Sequence, residues 1–235
     1  MLYRIATVGL APLLIAQGRH VRRVTLQLPE PPGARSGTEG QGPRLRLFIV
    51  GDSSAAGVGA STQEEAISGQ CVSQLSSSFQ VSWKLSAQTG YELSDVVEAL
   101  EAASAETFDA ALIAVGVNDV TGRTSLKSWK AQHGRLIHLL TAKFAVRHVL
   151  LSSLPPMHRF PALPQPLRWY LGARAKQLNG IVQRIAGADS RCELLEMNFP
   201  FEASYMAADG FHPGPLAYAM WGRHAAGAIR RRMQN

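Results

Sequence analysis

From Leu45 onward the chain alternates short apolar runs with segments whose apolar residues recur at helical spacing. Several of the short runs close on Gly, Asp or Asn. This alternation constrains the fold more than any other feature, because strands joined through helices pair in parallel with right-handed crossovers and carry helices on both faces. Strands are expected at Leu45–Val50, Val81–Ala87, Ala110–Val115, His148–Ser152 and Cys192–Met197, each a compact run of strand length. Between them, Thr62-Gln-Glu-Glu65 reads as a capping box for a helix carrying Ile67, Cys71, Leu75 and Phe79. Ser94 caps a helix toward Thr107, Ser125–Phe144 is a helix, Leu167–Ala186 another, and Pro215–Arg232 the last. The class is α/β, with a doubly wound, five-stranded parallel sheet in one domain. A hydrophobic content of 46% supplies its core.

The remainder of the chain divides into two short segments. Residues 1–28 hold an uncharged, mostly apolar run from Ile5 to Ala16, followed by Arg19, Arg22 and Arg23. Three readings fit: a poor signal peptide, an interfacial anchor with basic flanks, or a helix packed on the domain. The run is too short for a standard transmembrane helix, since the hydrocarbon core is about 30 Å thick. The basic cluster after it opposes translocation, which favours a cytoplasmic or membrane-associated location over secretion. Residues 29–43, rich in Pro and Gly, read as an exposed linker, and the domain is expected over 44–235.

Charge follows the same division. The net charge of +7 is carried mainly by residues 1–46, with seven arginines against Glu30 and Glu39, and by Arg230, Arg231 and Arg232. A nucleic-acid-binding domain carries its basic stripe through the folded part, and here the body is nearly neutral. The charge argues against nucleic acid and leaves peripheral membrane contact through the N-terminal segment as the expectation.

In doubly wound sheets, ligands bind outside the carboxyl ends of the strands. Those ends carry Gly51-Asp52-Ser53-Ser54, Thr89-Gly90 and Gly116-Val117-Asn118-Asp119, with Asp209-Gly210-Phe211-His212-Pro213 after the last strand. A hydroxyl, an amide, a carboxylate and an imidazole therefore gather on one rim. Ester hydrolysis needs such a set: a serine is a weak nucleophile until a base takes its proton, and a carboxylate fixes the base's tautomer.

These four segments, in this order over about residues 45–225, resemble the conserved blocks of the SGNH hydrolases, the GDSL-type esterases and lipases. The resemblance implies a flavodoxin-like three-layer α/β/α sandwich and a Ser-His-Asp triad of Ser53, His212 and Asp209. It also implies an oxyanion hole formed by the Ser53 and Gly90 N–H groups and the Asn118 side chain. Ser54 stands where the family usually has leucine, and only Thr89-Gly90 is recognisable in the second block.

The expected function is a serine carboxylic ester hydrolase acting on small-molecule esters with short to medium acyl chains. The same triad also serves thioesterases, lysophospholipases, carbohydrate O-deacetylases and acyltransferases, and a lipid- or glycan-binding module is the non-enzymatic alternative. Leu154, Met157, Phe160 and Trp169 are expected to form an apolar acyl wall. No metal or cofactor is called for, because no His-Glu-x-x-His, calcium loop, phosphate loop or dinucleotide fingerprint is present. The two cysteines, Cys71 and Cys192, read as free thiols filling core space.

Overall fold

The computed structural model describes residues 2–122, 124–197, 200 and 202–234, with side chains from residue 9 onward, so the Arg4 side chain lies outside the described residues. Six strands form one sheet: β1 (Ser36–Glu39), β2 (Arg44–Gly51), β3 (Gln80–Ala87), β4 (Ala110–Ala114), β5 (His148–Ser152) and β6 (Cys192–Leu195). Their order is β1-β3-β2-β4-β5-β6, with every pair parallel except β1 on β3. The five parallel strands have the flavodoxin order, whose topological switch point lies between β2 and β4.

The sixth strand corrects the expectation of five. β1 lies inside the stretch read as an exposed linker, where Ser36–Glu39 pair with Val81–Lys84. All four residues are exposed, so β1 is held by its backbone ladder and shows no apolar alternation that a sequence pattern could register. A short, polar edge strand of this kind also blunts an otherwise unpaired sheet edge.

Helices α1 (Leu2–Val24), α2 (Ser53–Ala56), α3 (Ile67–Ser76), α4 (Leu93–Ala102), α5 (Val117–Thr121), α6 (Leu126–His138), α7 (Leu167–Ala188) and α8 (Pro215–Gln234) complete the fold. α3 packs against α8, while α4, α6 and α7 pack together. β4, buried at every position, runs through the centre of the core. Helix boundaries follow local chemistry where caps are local. Ser125 caps α6 by accepting from the Ser128 N–H at 3.0 Å, whereas α6 gives way at Leu139 to a five-residue π turn.

The capping box expected at Thr62 does not form, and α3 begins at Ile67. Tertiary bonds claim its residues instead: the Gln63 backbone N–H donates to the Pro32 carbonyl, and its side-chain amide donates to the carbonyls of Ala56 and Pro31. Both cysteines are free and buried. Burial pushes the Cys71 thiol up to about 12, which leaves it inert.

α1 packs on α7 through buried Leu14 and through Gln17, whose amide donates to the Gln165 carbonyl and accepts from the Leu167 N–H. No helix among the described residues is long and apolar enough to cross a membrane.

Candidate active site

Three strand ends near the switch point and the loop before α8 supply the site. β2 ends in Gly51, where an added Cβ would lie 1.8 Å from the Ala114 carbonyl oxygen, so only glycine lets β2 approach β4 this closely. The chain then turns into α2. Asp52 caps it, its Oδ1 accepting from the Ser54 N–H and hydroxyl, while Oδ2 accepts from the Gly116 N–H at 3.1 Å. This buried carboxylate ties the Ser53 turn to the end of β4. Burial raises its pKa above the ordinary aspartate value, against the bonds that favour the ion.

Ser53 is thereby placed at the first position of α2, with Oγ 2.8 Å from His212 Nε2. His212 Nδ1 lies 2.6 Å from Asp209 Oδ2, so the tautomer that donates to Asp209 leaves Nε2 free to accept from the serine. Asp209 also shapes the backbone around the imidazole, because its Oδ1 accepts from the Phe211 and His212 N–H groups at 2.9 and 3.0 Å. Burial pushes this carboxyl up, but the His212 ring and the two backbone donors outweigh it and hold the pKa below its ordinary value. Asp209 is therefore ionised at neutral pH.

Asn118 lies on α5 after β4, and its amide donates to the Tyr91 carbonyl at 2.8 Å. An amide carries two N–H bonds, so one is left over from the bond to Tyr91, and Asn118 lines the groove together with Ser53 and Gly90. Gly90, in the turn after β3, has φ +89°. A Cβ there would meet nothing within 4 Å, so conformation rather than space calls for glycine. Asp119 accepts from the Leu93 N–H and the Thr124 hydroxyl, which joins α5 to the start of α4. Burial pushes its carboxyl up to about 6.

Two cavities meet at Ser53. A small apolar pocket of ≈ 40 Å³ is lined by Val115, Phe160, Met206, Phe211 and Trp221 among others. A wide groove of ≈ 1520 Å³ runs from Ser53 and His212 past Gly90 and Asn118 to Leu14, Arg19 and Arg22 of α1.

Of the four residues expected to form an acyl wall, one lines a cavity at Ser53. Phe160 lines the small pocket and stacks edge-on against Phe211 at 5.2 Å. Leu154 and Met157 are buried in the core and line neither cavity. Trp169 is 41% exposed and also lines neither. The reason is helical phase, since α7 turns Leu167, Tyr170 and Leu171 toward the groove and so carries Trp169 outward. Met206, Phe211 and Trp221 were not foreseen from the sequence. Phe211 is the one with a local signal, since it stands between Asp209 and His212 in the sequence.

A hydroxyl, an imidazole and an ionised carboxylate bonded in line, at the strand ends of a flavodoxin-ordered sheet, are the parts of an acyl hydrolase. The chain belongs to the GDSL-like lipase/acylhydrolase family, whose model matches residues 49–220, and it is a hydrolase of ester bonds. A GDSL-like esterase of Mycobacterium tuberculosis is 28% identical over 247 residues, covering 92% of this chain and 75% of that protein. Among solved structures, a lipase/acylhydrolase from Enterococcus faecalis superposes with a TM-score of 0.59 at 18% identity, covering 80% of this chain and 96% of that one. A carbohydrate acetylesterase from Sinorhizobium meliloti gives 0.57 at 15% identity, covering 80% and 99%. At these identities the two structures speak for the fold.

Proposed function

We propose that the protein is a serine esterase for short acyl groups on larger alcohols, working through Ser53, His212 and Asp209. The observation that carries this reading is the in-line set of bonds from Ser53 Oγ to His212 to Asp209. Ser53 Oγ attacks the ester carbonyl as its proton passes to His212 Nε2, and Asp209 steadies the imidazolium. The new oxyanion is met by the Asn118 amide, the Gly90 N–H and the Ser53 N–H. As the first helical residue of α2, Ser53 has no intrahelical acceptor for its N–H. His212 then gives the proton to the leaving alcohol, takes one from the water that attacks the acyl-enzyme, and returns it to Ser53 Oγ as the acid leaves.

The sizes of the two cavities favour acetyl-like acyl groups. A water needs about 10–15 Å³ on the measure that gives the small pocket ≈ 40 Å³, so this pocket has room for a few heavy atoms. The alcohol lies in the wide groove, whose mixed lining suits a polar partner such as an acetylated carbohydrate. Against p-nitrophenyl esters, kcat/KM is expected to fall by about tenfold or more from acetate to octanoate, since misfitting methylenes discriminate on that scale. Faster hydrolysis of octanoate would place the acyl chain in the groove and overturn the acetyl reading.

Exposed residues along α1, some of which also border the groove, support peripheral contact with an anionic membrane. Leu13 and Ile15 are exposed there, Val24 and Leu26 are exposed at its end, and Arg19, Arg22 and Arg23 lie among them, the pairing of apolar and basic groups that interfacial helices use. The full chain is expected to sediment with phosphatidylglycerol vesicles, and the triple change Arg19→Glu, Arg22→Glu, Arg23→Glu to abolish this. No sedimentation of the unaltered chain would reduce these arginines to a solvated face.

A further inference from the structure

The segment between α1 and β1 reaches back into the active site. Glu30 Oε1 accepts from the Thr89 N–H at 2.7 Å and from the Thr89 hydroxyl at 2.8 Å. Its other oxygen accepts from Arg35 at 2.8 Å. Arg35 is itself fixed to the end of β3, since its guanidinium donates to the Ala87 carbonyl and its own carbonyl accepts from the Leu85 N–H. Glu30 and Arg35 therefore form a strap across residues 85–89, fastened one residue before Gly90.

The strap is one of several polar bonds that hold this turn. Thr89 and Gly90 are exposed, and the space above Gly90 is open, so side-chain packing does not set its position. Its bonds are polar and fall on the neighbours of Gly90. The Gln88 N–H donates to the Gly51 carbonyl, Thr89 is held by Glu30, and the Tyr91 N–H and carbonyl are engaged by Gln88 and Asn118. This pattern pins the turn on both sides of Gly90 and leaves the Gly90 N–H available.

We propose that Glu30 is a positioning residue for the oxyanion hole, holding the Gly90 N–H where charge develops during acyl transfer. The inference rests on the assignment of Gly90 and Ser53 in the proposed mechanism. Preorganised donors act because they need no reorganisation when the charge appears, so loosening the turn costs rate rather than substrate binding. Charge-assisted bonds suit this role, being roughly twice as strong as neutral ones. Burial pushes the Glu30 carboxyl up, yet the bonds from Thr89 and Arg35 prevail and keep it ionised below its ordinary pKa.

The test compares Glu30→Ala and Glu30→Gln with the unaltered chain on p-nitrophenyl acetate. In Glu30→Ala, kcat is expected to fall by about tenfold to a hundredfold, the scale of a donor misplaced but not removed, with KM within about twofold. Glu30→Gln retains an acceptor for Thr89 but turns an NH2 group toward Arg35, so its kcat is expected to lie between the two. Affinity for a trifluoromethyl ketone, which forms a tetrahedral oxyanion, is expected to fall in parallel with kcat. Unchanged kcat in both variants, or a rise in KM at constant kcat, would overturn the proposal. Should Glu30→Ala fail to fold, Glu30→Gln decides by the same criteria. An inert Ser53→Ala beside fully active Glu30 variants would remove the strap alone, whereas an active Ser53→Ala would remove the mechanism beneath it.

Discussion

Replacing Ser53 by alanine is expected to abolish ester hydrolysis, lowering kcat on p-nitrophenyl acetate by on the order of 10⁶-fold, as losing the nucleophile of an interdependent triad does. The hydroxyl makes one bond of consequence, to His212 Nε2, and its removal leaves α2 intact. The α2 cap is made by Asp52, which accepts from the Ser54 N–H, and alanine is a good helix former at the vacated position. The thermal midpoint is therefore expected to stay within a few degrees of the unaltered protein, which separates a chemical loss from a structural one. Residual turnover would come from water attacking an ester bound in an otherwise complete oxyanion hole.

Asp209→Asn carries the second large effect, and the structure sharpens it. Oδ1 of Asp209 holds the Phe211 and His212 N–H groups, while Oδ2 alone faces the His212 ring. An asparagine can keep its oxygen on the two backbone donors, so the turn after Asp209 is expected to survive. Its NH2 group then meets Nδ1 as a donor and forces the ring to carry its proton on Nε2, where it can no longer accept from Ser53. A fall in kcat of on the order of 10⁴-fold is expected for such a wrong-tautomer variant, with the thermal midpoint nearly unchanged. If Asp209→Asn unfolds the protein instead, the backbone bonds of Oδ1 outweigh its part in the chemistry.

The residues of the proposed site were legible in sequence because their signals are local. Ser53 and Asn118 open short helices just past apolar strands of ordinary length, His212 lies in the loop before α8, and each has recognisable Gly, Asp or Pro neighbours. The boundaries of β5 matched the residue pattern at both ends. What escaped the sequence is built from separations that no local pattern encodes. β1 is polar and exposed, so it registers only as backbone bonded to β3. Glu30 lies 59 positions from Thr89. The lining of the two cavities depends on the phase of α7, which borders the groove, and on Trp221 of α8, which borders the small pocket, both set by packing across the sheet. The supposed linker is thus joined to the domain at β1 and Glu30, and a truncation to residue 44 would remove both.

Everything in the proposed mechanism turns on Ser53 Oγ being the atom that takes the acyl group. Mass mapping of the full chain after treatment with a fluorophosphonate, with activity followed in the same sample, tests this without intermediaries. One adduct per chain is expected, on the peptide bearing Ser53, with activity lost in proportion to labelling and no adduct in the His212→Ala variant. Labelling at another residue, or full activity in protein quantitatively labelled at Ser53, would show that the serine is not the nucleophile.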